Sequence, residues 1–164
     1  MIHTLRQYVK LTNLLNRAVG WLLFILLALM SVLIFWQVFA RFVAGNSLTF
    51  SEEASRFLMI WLTLLGAAYA VKEGSLIAVD ILQNKLKGTS AKVLKVIMSV
   101  CTSVFYVVLI IYGLKMPQSV SFQTAPTTGL SMFWPMLAVP VGGVLMLINT
   151  IASLIEDFIG KEEL

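Results

Sequence analysis

Residues 18–40 read AVGWLLFILLALMSVLIFWQVFA, a run without one charged side chain. As a helix it reaches about 33 Å at ~1.5 Å per residue, enough to cross a hydrocarbon core. Trp21 and Trp36 stand near its two ends, where amphipathic indole rings settle at headgroup level. Arg6, Lys10 and Arg17 precede it, which resembles the basic start of a signal peptide. The run is too long for a signal core of roughly 7–15 residues, and no clean small-x-small cleavage site follows it. It is therefore read as an uncleaved membrane helix over 18–40.

Composition points the same way. Of 164 residues, 59% are hydrophobic and 12% are charged, about half the charge of an ordinary soluble domain. A domain this small has too little interior to hide so much apolar surface. A soluble globular protein, a disordered chain and a secreted disulfide scaffold are excluded. A single cysteine, Cys101, forbids an intrachain disulfide or a CxxC redox pair. A single histidine, His3, forbids bis-His haem ligation and a His/Cys zinc site. The net charge of +4 does not imply nucleic acid as a partner, because the basic residues flank apolar runs and so report topology.

The second uncharged run, Phe57–Val71, is short for a span. Ahead of it, Thr49-Phe50-Ser51-Glu52 reads as a capping box with Thr49 as N-cap. The helix is therefore placed at 49–71. Glu52 and Glu53 fall in its first turn, where the helix dipole favours anions, and Glu52 and Arg56 have the i,i+4 spacing of an ion pair. The third run, Val96–Leu114, predicts a helix over 93–115. The fourth, Leu130–Ile155, predicts one over 130–156, with Trp134 at its interfacial start. Pro135 is tolerated in the first turns, and Pro140 is expected to kink the helix or loosen its hydrogen bonding.

The expected fold class is an all-α integral membrane protein with four transmembrane helices in a single domain over residues 1–164. Arg6, Lys10, Arg17, Lys72, Lys85, Lys87, Lys92, Lys95 and Lys161 would lie on one side, and only Arg41, Arg56 and Lys115 on the other. The positive-inside rule then predicts N-in/C-in topology with a cytoplasmic middle loop. In that loop Val79, Leu82 and Leu86 recur at helical spacing opposite Asp80, Gln83, Asn84 and Lys87. This predicts a short cytoplasmic amphipathic helix over 76–87 between helices 2 and 3, with Lys85 and Lys87 near the headgroups of membrane lipids.

A carrier needs polar groups at mid-membrane. The chain offers Ser31, Gln37, Ser99, Thr102, Ser103, Asn149, Thr150 and Ser153, none of them ionisable. The plainer reading is that they bond to helix carbonyls or across the bundle. The first span lacks the glutamate of small proton-coupled exporters, and no cysteine pair is present. The sharpest pattern is on the second helix. Glu52, Arg56, Met59, Thr63, Gly66 and Ala70 alternate spacings of four and three, which puts them on one stripe. Gly66-x-x-x-Ala70 lets another helix approach closely. The stripe packs either within this chain or against another membrane subunit, and spacing alone does not choose. Trp61 is either an interfacial ring or an aromatic anchor in a subunit contact.

Residues 37–82, QVFARFVAGNSLTFSEEASRFLMIWLTLLGAAYAVKEGSLIAVDIL, resemble the DctQ-like small membrane subunit of tripartite ATP-independent periplasmic (TRAP) transporters. The matching features are Arg41-Phe42, the Asn46-Ser47-Leu48 loop, Glu52-Glu53, Arg56, Trp61, Gly66-Ala67, Lys72 with Gly74, and Val79-Asp80. Thr127–Trp134 and Ala138–Gly142 resemble the beginning of the family's fourth helix. Leu76 stands where the family commonly has histidine, so no role of that histidine is carried over.

The resemblance implies a non-enzymatic subunit in the bacterial inner membrane, working by binding energy. Its implied partners are a large multi-helix TRAP membrane subunit, which it braces, and a periplasmic substrate-binding protein, for whose docking it helps form the surface. The implied solutes are organic acids of the sialic acid or C4-dicarboxylate class. No cofactor is expected in this chain, and sodium is expected in the large subunit. Arg41, Glu52, Glu53, Arg56, Trp61, Gly66, Ala70 and Asp80 are the candidate interface residues. Arg41, Glu52 and Arg56 either face a partner or pair with one another. Two other readings stay open: an independent homodimeric carrier using Gln37, Asn149 and Thr150, and a membrane anchor or assembly subunit of another complex.

Overall fold

The computed structural model describes residues 2–43, 45, 49–73 and 89–159. They form α1 (Ile2–Val43), α2 (Thr49–Glu73), α3 (Thr89–Ser119), the single turn α4 (Phe133–Met136) and α5 (Ala138–Ile159). Four stretches are long and apolar enough to cross a membrane: Thr4–Val43, Thr49–Glu73, Val96–Ser119 and Phe133–Glu156. The expected amphipathic helix over 76–87, with Asp80, Lys85 and Lys87, lies outside the described residues.

The helices outrun the uncharged runs that announced them. α1 has 42 residues and is about 63 Å long, roughly twice a hydrocarbon core. Its first turns continue as helix because Val9, Thr12, Asn16 and Val19 make a buried stripe at three- and four-residue spacing, while Leu11 and Leu14 face outward. α3 runs through Pro117 to Ser119. A proline so near a helix end removes only the bond to the Gly113 carbonyl. The fourth span is interrupted at Leu137, between α4 and α5. Pro140 has no N–H for the Met136 carbonyl, and bonding resumes with Val141 N–H to Leu137 O at 3.3 Å.

The spans do not close into a four-cornered bundle. α5 packs on α2 at one side and on α3 at the other, and α1 packs along α2 and touches α5. Among the described residues no Cα of α1 or α2 lies within 8 Å of one in α3, so α3 meets α2 only through side chains around α5. The row is therefore α1–α2–α5–α3. Two consecutive glycines let α5 serve both neighbours. A Cβ on Gly142 would come within 3.0 Å of Leu64 Cβ on α2, and one on Gly143 within 2.8 Å of Leu109 Cδ2 on α3. Adjacent helix positions point about 100° apart, so each glycine admits a different partner. Ala68, Tyr106 and Met146 form the small core where α2, α3 and α5 meet.

Polar side chains fasten the end at which α1 begins and α2 and α5 finish, here the basic end. Asn149 is completely buried. Its Nδ2 donates to Ala68 O at 2.6 Å and to Asn16 Oδ1 at 2.9 Å, and its Oδ1 accepts from Asn16 Nδ2 at 2.6 Å. One amide pair thus ties α1, α2 and α5 where apolar surface alone gives little directional preference. Tyr8 Oη adds a bond to Ile148 O at 3.2 Å. Lys72 Nζ meets Glu156 Oε1 at 2.5 Å, with both side chains largely buried.

Candidate partner interface

At the opposite end, here the loop end, residues 120–132 fold tightly between α3 and α4. A lone antiparallel bridge joins Thr124 and Ser131, Ala125 N–H donates to Leu130 O at 2.8 Å and Met132 N–H to Gln123 O at 2.9 Å. Gly129 turns the chain at φ +67°, a left-handed conformation that suits glycine.

Glu53 holds this loop to α2. It is 9% exposed, and its Oε2 accepts the backbone N–H groups of Thr127 at 3.0 Å and Thr128 at 2.9 Å. Successive amides converging on a carboxylate make a charge-assisted anion nest. Glu53 Oε1 is buried without a hydrogen-bond partner among the described residues. Its neighbour Glu52 points elsewhere, because adjacent helix positions diverge by about 100°. Glu52 Oε1 accepts from Arg56 Nη2 at 3.3 Å, with both side chains more than half exposed. The acidic pair therefore divides into one outward carboxylate and one inward clamp. Thr49, Glu52, Glu53, Arg56, Phe57 and the loop enclose a cleft of ≈ 240 Å³.

Below the ion pair, the second-helix stripe from Met59 to Gly66 is left uncovered by the other described helices. Met59 is 54% exposed, Thr63 is exposed and bonds back to Met59 O at 2.8 Å, and a Cβ added to Gly66 would meet no atom within 4 Å. Ala70 is half-buried. The intrachain close approaches are made instead at Gly20, Gly113, Gly142 and Gly143. Trp61 is half-buried and, two positions from both Met59 and Thr63, lies on the opposite face of α2. Arg41 is exposed at the end of α1 and makes no ion pair with Glu52 among the described residues. Trp21, Trp36 and Trp134 are all more than half exposed.

Within one chain the side chains named for an independent homodimeric carrier do not gather into a site. Asn149 is spent in the three-helix amide knot, and Thr150 Oγ1 bonds to Met146 O at 3.0 Å. Gln37 lies about 31 Å along α1 from Asn16, the partner of Asn149. Ser31, Thr102 and Ser103 each bond to a carbonyl one turn back. Among the described residues no group of three His, Cys, Asp or Glu side chains is placed to hold a metal ion.

The spacing of the polar residues did not single out Asn16 or the Lys72–Glu156 pair. The available signals were the 9, 12, 16, 19 stripe, with polar members where apolar ones were expected, and opposite charges at the ends of two spans. Spacing paired Glu52 with Arg56, but nothing in the sequence showed that Glu53 turns inward to the loop, since that depends on which helix face meets residues far along the chain.

A row of four membrane-length helices that leaves one stripe of α2 uncovered among the described residues defines a small multi-pass membrane protein. Residues 30–160 match the family described as tripartite ATP-independent periplasmic transporters, DctQ component, and the chain belongs to that family. A Haemophilus influenzae protein named as a TRAP transporter small permease is 33% identical over 151 residues, covering 89% of this chain and 91% of the relative. The sialic acid TRAP transporter small permease SiaQ of Vibrio cholerae is 26% identical over 129 residues, or 79% of this chain and 75% of that protein. The sialic acid TRAP transporter permease SiaT of Haemophilus influenzae is 28% identical over 144 residues, which take up 88% of this chain but only 23% of that longer protein. The chain is a small permease subunit of a TRAP transporter and a multi-pass protein of the bacterial inner membrane.

Proposed function

We propose that this subunit braces the large TRAP membrane subunit through the open stripe of α2 and presents the 120–132 loop to the periplasmic binding protein. The observation that carries this is Gly66. It lies in a small-residue pair suited to close helix approach, yet the other described residues leave the space above it empty. The match to part of the longer SiaT permease supports a large membrane partner. The topology is N-in/C-in, which puts the Glu53-clamped loop in the periplasm. The chain itself holds no cofactor, and sodium coupling resides in the large subunit. The solute is an organic acid, for which the resemblance to SiaQ is the support, and its identity is set by the partners.

Gly66→Leu tests the reading. The expected variant keeps its helical content and monodispersity in detergent, yet no longer co-purifies with the large subunit or supports solute uptake. A Gly66→Leu protein that still assembles and supports uptake overturns the assignment of this stripe.

A further inference from the structure

The geometry points to a binding site for the headgroup of a zwitterionic, primary-amine phospholipid at the basic end of the row, between α1 and α2. This inference is independent of which protein the subunit assembles with. A cleft of ≈ 420 Å³ opens there, lined by Asn13, Asn16 and Arg17 of α1, by Tyr69, Lys72 and Glu73 of α2, and by Glu156 of α5.

Its depth matches a headgroup. Arg17 immediately precedes the uncharged run of α1, Lys72 immediately follows that of α2, and Glu156 immediately follows that of α5. Three helices thus reach the edge of the apolar slab around one cleft, at the level where phosphate and amine groups lie.

Its chemistry is divided between satisfied and free groups. Lys72 and Glu156 neutralise each other. The Asn16 amide is engaged with Asn149 and with Thr12 O. Arg17 and Glu73 are exposed and unpaired among the described residues. One free guanidinium and one free carboxylate therefore face a single ligand. A phosphate diester fits Arg17, whose guanidinium presents two parallel donors, with the Asn13 amide one turn away on the same helix. A primary ammonium fits Glu73, to which it donates hydrogen bonds that a quaternary ammonium lacks. A purely anionic headgroup offers no ammonium to the free carboxylate of Glu73 and is disfavoured.

The test is lipid retention by the full chain, measured by native mass spectrometry after exchange into micelles doped with phosphatidylethanolamine, phosphatidylcholine or phosphatidylglycerol. The expected result is phosphatidylethanolamine retained about tenfold over the other two, the effect of one charged hydrogen bond. Glu73→Gln should level phosphatidylethanolamine with phosphatidylcholine, and Arg17→Gln should weaken retention of both. Neither residue is buried, so thermal midpoints in lipid-free micelles should equal that of the parent, separating site loss from misfolding. Equal retention of phosphatidylethanolamine and phosphatidylcholine by the parent chain overturns the proposal. So does a preference for phosphatidylglycerol, or retention unchanged by both substitutions.

Discussion

Replacing Asn149 with leucine, close to it in size, removes three interhelical hydrogen bonds at once: two at 2.6 Å and one at 2.9 Å. Bonds of this kind between membrane helices contribute about 0.6 kcal/mol each on average, so the loss comes to about 2 kcal/mol. Asn16 keeps its bond to Thr12 O but is left with an unsatisfied buried carbonyl, which adds to the cost. Asn16→Leu with Asn149→Leu removes that orphan, so the double variant should be more stable than the sum of the single losses predicts. The assay is reversible unfolding of the purified chain in mixed micelles, read by far-UV circular dichroism. Ser31→Ala is the control, because its exposed hydroxyl only bonds back to Leu27 O at 2.8 Å. Unfolding of Asn149→Leu at the same midpoint as Ser31→Ala would refute the reasoning. Strict additivity between positions 16 and 149 would do so too.

Three further outcomes are expected. Glu53→Ala should speed amide exchange at Thr127 and Thr128 at least tenfold, Glu53→Gln should do so less because one neutral acceptor survives, and Glu52→Ala should not change it; hydrogen–deuterium exchange read peptide by peptide checks this. Gly142→Ala should destabilise the isolated chain by about 1–3 kcal/mol, since its new methyl meets the backbone and Cβ of Leu64. Gly66→Ala should be neutral, or stabilising by up to about 1 kcal/mol through helix propensity, and thermal scans of the two variants side by side give the comparison. Lys72→Met should cost about 3–5 kcal/mol by leaving Glu156 charged and unpaired in a largely buried position, whereas Lys72→Met with Glu156→Leu should recover most of it; denaturant titration measures both.

Much of the helical fold was legible from local pattern. An uncharged run of bilayer length forces a helix whatever surrounds it, because unpaired backbone groups are too costly in hydrocarbon. The i,i+4 spacing of Glu52 and Arg56 sufficed for their pair. Helix ends were less legible. α1 continues four turns before its uncharged run because Val9, Thr12 and Asn16 are buried there and Asn16 bonds to Asn149 of α5, and no local signal reports a partner 133 residues away. The candidate interface was legible as a stripe but not as an exposed one. Gly66 and Gly142 are both helical glycines, and only the neighbouring backbones show that one faces Leu64 and the other empty space.

By itself the sequence determined that this chain lives in a membrane, that it crosses four times as helices, and that it resembles TRAP small subunits. These follow from hydropathy, spacing and motif order, which are properties of single segments. The tertiary structure decided that the helices form the row α1–α2–α5–α3, that Glu53 turns inward while Glu52 turns outward, and that Asn149 serves as a clamp. Those outcomes depend on which helix faces meet. In a membrane, lipid is as apolar as the helix surface, so hydropathy alone cannot select the faces. Close glycine contacts and a few buried polar bonds select them, and those exist only once the helices are assembled.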